Sequence, residues 1–319
     1  MFIRHTHQSN RRVISMYNTV YFEISGICNA NCPWCVTGRG GLKAYPSRFI
    51  PPGDFRRAIK RLFDESLINS QSIINLYNFG EPLLHPSLKE ILQILVDYNL
   101  KYTLSTNASR FLNLDSILLE NLQQFFISIP GFSQKSYNKI HGFDFEKILK
   151  NIDLWIHLIG PDKIQIQFHV YQFNLDEIEH ASLYFKQRSV KFFPYLAYFN
   201  DFNLTKSYLD HKLTPTILEN ASKELLLYYV DDITSSPLGN YQCPQQNILT
   251  IDEYCNVLTC CLISKADPDY AIGSLFSLSK KEIENNKQNQ FICKECLKKG
   301  ISQWINTVQR PEFLQKSEN

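Results

Sequence analysis

The sequence predicts an α/β protein built on a partial (β/α)6 barrel, followed by a small cysteine-rich module. Two observations lead to this prediction. Short β-branched and aromatic segments alternate with segments of helical apolar period, and the nine cysteines fall into two clusters. Such alternation forms right-handed βαβ units around a parallel sheet, and six units are too few to close an eight-fold barrel.

Six strands are predicted from short runs rich in β-branched and aromatic residues: 17–25, 72–77, 101–106, 125–129, 163–170 and 190–195. Segments with helical apolar spacing follow them: 54–68, 86–98, 114–122, 145–158, 175–187 and, beyond the sixth strand, 216–230. Asp54 is expected to be the N-cap of the first helix, because a carboxylate there accepts free backbone N–H groups.

The chain divides into five predicted regions: an N-terminal arm (1–15), a core (16–200), a helical linker (201–241), a C-terminal module (242–300) and a tail (301–319). A formal charge of +2 gives no reason to expect a nucleic acid or an anionic membrane as partner. No apolar run reaches the roughly 20 residues that span a bilayer, and no secretory signal is recognisable. Clustered cysteines without such a signal indicate metal ligation in a reducing cytoplasm.

Cys28, Cys32 and Cys35 form a C-x-x-x-C-x-x-C pattern directly after the first predicted strand. Chemistry in parallel barrels sits at the carboxyl ends of strands, so this loop is expected at the productive rim. Three thiolates can hold a 4Fe–4S cluster and leave one iron open to a substrate or cofactor, whereas four would close it. Zinc is the alternative metal, although structural zinc sites favour four ligands and C-x-x-C pairs.

The segment CNANCPWC (28–35) resembles the signature loop of radical S-adenosylmethionine (radical SAM) enzymes. Four further segments resemble family motifs in the same order: NFGEPLLHP (78–86), LSTN (104–107), ISIPG (127–131) and KIHG (139–142). The resemblance covers residues 17–200. It implies that a 4Fe–4S cluster binds S-adenosylmethionine, that one electron cleaves the cofactor to a 5′-deoxyadenosyl radical, and that this radical abstracts a substrate hydrogen. It also implies an external electron donor such as flavodoxin or ferredoxin.

The resemblance assigns cofactor contacts residue by residue. The backbone around Gly80 and Glu81 would receive the methionyl amine, although Phe79 replaces the first glycine of the family motif. Four more positions are implied: Ser105, Asn107 and Ser128 near the ribose or carboxylate, and Trp34 near the adenine. His141 stands where an arginine often binds the methionyl carboxylate, and a surface position on a helix is the alternative for it.

The later cysteines resemble the short "twitch" form of the SPASM extension, with Cys243, Cys260, Cys293 and Cys296 at its ligand positions. This likeness implies one auxiliary 4Fe–4S cluster, with a hairpin over 247–258 and an AIGSL segment at 271–275. A four-cysteine zinc site is the alternative. Cys255 occupies the position of a family glycine, and it is expected either to pack in the core or to replace Cys260 or Cys261 as a ligand.

Cys261 follows a predicted ligand directly. In similar radical SAM epimerases the second cysteine of such a pair donates a hydrogen atom to the substrate radical, whereas a buried free cysteine often serves only as a small apolar residue. The aromatic run 192–202 is expected either to wall a substrate pocket or, as we prefer, to form core at a domain junction.

The resemblance therefore implies an enzyme that modifies a peptide or a small polar metabolite or sugar, and Cys261 makes epimerisation one expected outcome. A twitch-type dehydrogenase or cross-linking enzyme, with the auxiliary cluster as electron acceptor, is the alternative. A protein of another class, either a non-catalytic two-cluster electron carrier or a zinc-binding protein, would carry the same cysteines.

Overall fold

Nine strands form one continuous sheet in the computed structural model, which describes residues 16–40, 46–235, 241–265 and 267–307. The predicted arm and the end of the predicted tail lie outside these residues. The strands are β1 (Thr19–Phe22), β2 (Ile73–Asn75), β3 (Lys101–Thr106), β4 (Leu122–Ile129), β5 (Ile164–Val170), β6 (Lys191–Leu196), β7 (Ile248–Ile251), β8 (Asn256–Leu258) and β9 (Ala271–Ser274).

The first six strands lie side by side in chain order and every neighbouring pair is parallel. Helical crossovers connect them, as a parallel sheet requires. All six strands coincide with predicted ones, and the bounds of β3 were predicted without error. The predicted α/β class and the partial six-stranded barrel are therefore confirmed.

Twelve α-helices are present among the described residues. They are α1 (Pro52–Asp64), α2 (Leu88–Asp97), α3 (Ser116–Leu119), α4 (Gln134–Lys139), α5 (Phe145–Ile159), α6 (Ile178–Lys186), α7 (Phe202–Leu209), α8 (Pro215–Glu224), α9 (Tyr228–Ser235), α10 (Lys280–Asn289), α11 (Phe291–Lys298) and α12 (Ile301–Thr307). None of these helices is both long enough and apolar enough to cross a bilayer.

The start of α1 differs from the prediction. Its N-cap is Pro51 and its first residue is Pro52, whose fixed φ suits the first helical position. Asp54 lies in the first turn, where its carboxylate pairs with Arg57 at 3.2 Å and Arg48 at 3.6 Å. The prediction of Asp54 as N-cap was therefore wrong, because proline two residues earlier begins the helix.

Two other predicted helices are shorter than expected. The helix predicted over 114–122 is reduced to α3, because Leu122 pairs with Tyr102 and already belongs to β4. The helix predicted over 216–230 is divided into α8 and α9, because Leu225 has an extended backbone with ψ of 148°. Short amphipathic segments are hard to bound because sheet pairing overrides their local preference.

The C-terminal segment joins the sheet of the core. Strand β7 pairs in parallel with β1, so that Val20 lies beside Leu249, and β8 and β9 continue the sheet in antiparallel order. The predicted hairpin over 247–258 is present as β7 and β8. Strand β1 therefore lies inside the sheet, between β2 and β7, and the loop that follows it lies between core and C-terminal segment.

Candidate cofactor site at the mouth of the partial barrel

A cavity opens where the parallel strands reach their carboxyl ends. It contains about 820 Å³ of space free of protein atoms, part of it open to solvent. Every residue predicted for the core site lines it: Cys28, Cys32, Trp34, Cys35, Gly80, Glu81, Ser105, Asn107, Ser128 and His141. The topology explains this convergence, because the loops after neighbouring parallel strands meet at one edge of the sheet.

The three-cysteine loop follows β1 and is held by contacts to other loops. Val36 donates its backbone N–H to the carbonyl of Asn200 at 3.1 Å, and the side chain of Asn200 donates to Cys35 Sγ at 3.6 Å. On the other side, Asn107 Nδ2 lies 3.9 Å from Cys28 Sγ. Burial raises the pKa of Cys28 to about 12, so this thiol favours its protonated form until a metal displaces the proton.

Glu81 ties the loop after β2 to the end of β3. One carboxylate oxygen accepts the backbone N–H of Leu83 at 3.0 Å and the hydroxyl of Thr106 at 2.8 Å. The other oxygen accepts the backbone N–H of Asn107 at 2.8 Å. Glu81 is 3% exposed, and burial raises its pKa to about 7. The Glu81 carboxylate thus holds the loop after β2 and the loop after β3 together.

Glu23, at the end of β1, is a site residue that sequence reasoning missed. Its carboxylate accepts the backbone N–H groups of Phe79 at 2.7 Å and Gly80 at 2.5 Å. A Cβ on Gly80 would lie 1.7 Å from the carbonyl oxygen of Ser25, so only glycine fits there. Phe79 is compatible with the site because its backbone makes this contact. The available signal was that Glu23 is the one charged residue of the predicted strand 17–25.

The charge state of Glu23 predicts a pH dependence of stability. Burial, and secondarily the nearby Glu253 carboxylate, raises the Glu23 pKa from 4.5 to about 8. Protonated Glu23 therefore makes its full contribution to the stability of the folded state below pH 4.5, and this contribution is lost as the pH rises to 8. Glu23→Gln keeps an oxygen that can accept both N–H groups but does not titrate. We therefore expect the free energy of unfolding of Glu23→Gln, relative to that of the wild type, to rise by about 3–5 kcal/mol across that range. Urea unfolding of both proteins at several pH values measures this, and parallel pH profiles would contradict it.

His141 is 2% exposed, so the alternative of a surface helix position was wrong. Its Nδ1 atom is buried without a hydrogen-bond partner, and its ring lies 6.5 Å from that of His169. Burial, assisted by His169, lowers the His141 pKa to about 3. The imidazole is therefore neutral near pH 7, and it can offer a hydrogen bond to a cofactor carboxylate but not the charge of an arginine.

An aromatic wall forms part of the cavity lining. It consists of Tyr77, Tyr171, Tyr195 and Tyr198, and Tyr195 is hydrogen-bonded to His169. Trp34 also lines the cavity and donates its indole N–H to Glu224 at 2.9 Å. These side chains leave a site with aromatic faces and hydroxyl groups.

The aromatic run 192–202, expected either to wall a pocket or to form core, contributes residues to both. Tyr195 and Tyr198 line the cavity, whereas Leu196, Phe199 and Phe202 are buried in the core. Tyr195 and Leu196 point to opposite sides because they are successive residues at the end of β6, where the backbone is extended. This segment therefore forms part of the cavity wall and part of the packed interior.

The other predicted cysteines line a second cavity of about 540 Å³: Cys243, Cys260, Cys293 and Cys296. Gln246 Nε2 donates to Cys293 Sγ at 3.6 Å. Cys255 lies elsewhere, 1% exposed in the turn between β7 and β8, at a φ of 64°. That left-handed backbone explains the glycine usual at this position. Among the expectations for Cys255, packing in the core agrees with this placement.

Cys261 lies between the two cavities without lining either. Its thiol donates to Gln245 Oε1 at 3.3 Å, beside the second cavity. Burial raises the pKa values of Tyr77 and Tyr198, in the wall of the first cavity, and Cys261 lies close enough to raise them further. Burial is the main cause that raises the pKa of Cys261 itself. The residue is thus a buried S–H group close to the aromatic wall but outside the cavity lining.

The sequence of the core matches a known family. Residues 22–182 match the Radical SAM superfamily, and the chain belongs to that superfamily. It is also 25% identical over 173 residues to the AdoMet-dependent heme synthase of Methanosarcina barkeri. That match covers 52% of this chain and 47% of the heme synthase, so the chain spans about half the length of this curated relative.

Three solved structures share the fold. The enzyme anSMEcpe with bound AdoMet has a TM-score of 0.59 at 16% identity, covering 87% of this chain and 86% of that one. Streptococcus suis SuiB bound to precursor peptide SuiA has a TM-score of 0.57 at 14% identity, and the match covers 85% of this chain and 65% of SuiB. BtrN in complex with AdoMet and 2-DOIA has a TM-score of 0.52 at 14% identity, and the match covers 90% of this chain and 89% of BtrN. At these identities the likeness establishes the fold.

Proposed function

We propose that this chain cleaves S-adenosylmethionine reductively and uses the resulting radical to abstract hydrogen from a peptide or a small polar metabolite or sugar. The observation that carries the proposal is the convergence of all the predicted core residues on one cavity. Cys28, Cys32 and Cys35 would hold the 4Fe–4S cluster and leave one iron free for the cofactor. When bound, the reduced cluster supplies the electron that yields methionine and the 5′-deoxyadenosyl radical. A flavodoxin or ferredoxin would reduce the cluster.

The roles of the surrounding side chains follow from their contacts. Glu23 and Glu81 hold the loop after β2, so the Gly80 backbone is preorganised to receive the methionyl amine. His141, neutral and unpartnered at Nδ1, would hydrogen-bond the methionyl carboxylate. Trp34 would pack against the adenine. The remaining polar positions, Ser105, Asn107 and Ser128, would contact the ribose or carboxylate.

An auxiliary 4Fe–4S cluster is proposed at Cys243, Cys260, Cys293 and Cys296. The four thiols line one cavity, which agrees with a shared cofactor. A zinc site with four cysteine ligands is the alternative.

Anaerobic reconstitution tests both clusters together. We expect about eight irons and as much sulfide per chain, because each site holds four of each. Incubation with S-adenosylmethionine and dithionite is then expected to release 5′-deoxyadenosine. Stoichiometric zinc without iron, or iron without cofactor cleavage, would contradict the proposal.

Support for the substrate class comes from the fold and from the cavity. The structural neighbour SuiB binds a precursor peptide, and BtrN was solved with the small molecule 2-DOIA. The cavity lining includes tyrosine side chains and the neutral His169, whose pKa burial lowers to about 4. Such a surface suits an uncharged polar group that both stacks and hydrogen-bonds.

Cys261→Ala tests hydrogen-atom donation by this residue. We expect cofactor cleavage to continue while net epimerisation stops, because the weak S–H bond that quenches the substrate radical is missing. Product stereochemistry and 5′-deoxyadenosine are measured in the same reaction, with Cys255→Ala as the control that removes a thiol outside both cavities. An unchanged product profile would remove the donor role.

A second candidate function is oxidation or cross-linking, with the auxiliary cluster as electron acceptor. One observation favours it: Cys261 lies near Tyr77 and Tyr198 but does not line the cavity at the barrel mouth. In that case the Cys261→Ala variant would keep the wild-type product. The experiment that tests hydrogen donation therefore also separates the two candidate functions.

A further inference from the structure

A buried ammonium group lies at the centre of the C-terminal segment. Lys287, on α10, is 1% exposed. Its Nζ donates to the carbonyl oxygens of Ile248 at 2.8 Å, Thr259 at 2.9 Å and Gln245 at 3.3 Å. These bonds use all three donors of the ammonium. A lysine is rarely buried so completely unless its charge is paired, so this position requires an explanation.

The three acceptors place Lys287 among the cysteine-bearing segments. Gln245 follows Cys243 by two residues, and Thr259 directly precedes Cys260. Within the described residues, Lys287 forms no ion pair with a carboxylate. Burial lowers the Lys287 pKa, and the groups that oppose this and favour the charged form are sulfur atoms: Cys260, Cys293, Cys243 and Cys261. Neutral carbonyl groups alone are poor compensation for a desolvated cation.

A four-cysteine iron–sulfur cluster would supply the missing negative charge. Four thiolates carry four negative charges and the oxidised 4Fe–4S core carries two positive ones, so the bound group is a net dianion. Reduction by one electron adds another negative charge. A fixed cation nearby therefore stabilises the reduced cluster more than the oxidised one, because the interaction scales with the product of the charges.

We propose that Lys287 is the counter-charge of an anionic cluster held by Cys243, Cys260, Cys293 and Cys296, and that it raises the reduction potential of that cluster. This inference rests on the auxiliary cluster of the proposed function. Lys287 is a positioning and tuning residue, since it acts on the redox centre through its charge. A lysine that only ties three carbonyl groups together would affect stability and leave the potential unchanged.

Redox titration of the auxiliary cluster alone distinguishes these explanations. The full chain with Cys28, Cys32 and Cys35 replaced by alanine is reconstituted, and reduced cluster is followed by electron paramagnetic resonance. At the midpoint potential of this parent, we expect Lys287→Met to lower the reduced-to-oxidised ratio at least tenfold, equivalent to about 59 mV for one electron. Lys281→Met, which removes an exposed lysine from the same helix, is expected to change the ratio less than twofold.

Each outcome decides the matter. Iron in the parent together with an unchanged ratio in Lys287→Met overturns the role of Lys287 and leaves the auxiliary cluster standing. A parent without iron overturns both. If Lys287→Met takes up no iron, Lys287→Arg and Lys287→Gln are compared instead. Iron bound by Lys287→Arg but not by Lys287→Gln supports the counter-charge. A cluster in Lys287→Gln with the same reduction potential as in the parent refutes it.

Discussion

Replacing Cys28, Cys32 and Cys35 together by alanine is expected to abolish 5′-deoxyadenosine formation from S-adenosylmethionine and dithionite. The three thiols are the only cysteines among the described residues that line the cavity at the barrel mouth, so no other cysteine there can hold the cluster. Without it the electron that opens the sulfonium has no donor, and product should fall to the level of a reaction without enzyme. Chromatography of the quenched reaction gives the answer.

The control for this loss is Cys255→Ala. This thiol is more deeply buried than the three cysteines of the loop, and it lies in the turn between β7 and β8, away from both cavities. We expect it to keep full iron content and cofactor cleavage. The triple variant should keep about four irons per chain if the auxiliary cluster forms, which shows that the chain is folded. Continued 5′-deoxyadenosine formation by the triple variant would refute the assignment of the site.

Glu81→Ala is expected to lower the free energy of unfolding by about 3–5 kcal/mol and to abolish S-adenosylmethionine binding. The change leaves the buried N–H groups of Leu83 and Asn107 and the hydroxyl of Thr106 without their acceptor, and each such loss costs about 1–3 kcal/mol. The loop after β2 then loses its link to the end of β3. Urea unfolding and equilibrium binding of the cofactor measure the two effects.

Two further variants give the scale of this effect. Glu81→Gln keeps one oxygen in place of the carboxylate pair, so we expect a smaller loss of about 1–3 kcal/mol. Glu90→Ala removes an exposed glutamate from α2 and is expected to change stability by less than about 0.5 kcal/mol. Wild-type stability in Glu81→Ala would show that the carboxylate does not hold the two loops together.

The sequence predicts those parts of the molecule that depend on local pattern. Alternating strands and helices give the partial barrel, because the hydrophobic period and the handedness of βαβ units leave few other arrangements. The strand order then brings loops after different strands to one rim, so motifs as distant as Cys28 and His141 could be expected in one cavity. Trp34, next to the last cysteine of the loop, lines the same cavity.

Features that depend on long-range contacts could not be predicted in this way. Glu23 and Lys287 are buried charges whose partners lie in other elements, such as the backbone at Gly80 or the carbonyl of Thr259. Nothing local specifies those partners. The start of α1 was misjudged because Asp54 has the chemistry of a cap, while Pro52 already satisfies the geometry of the first turn.

The position of β1 in the sheet has a consequence for how the chain folds during synthesis. One side of β1 pairs with β2 early, but its other side has no partner until Ile248–Ile251 has left the ribosome. At about 5–20 residues per second this interval lasts on the order of tens of seconds. For that time the strand before the cysteine loop is an open edge, which is the kind of surface that seeds aggregation. Chaperone occupancy during translation should therefore be highest before β7 appears.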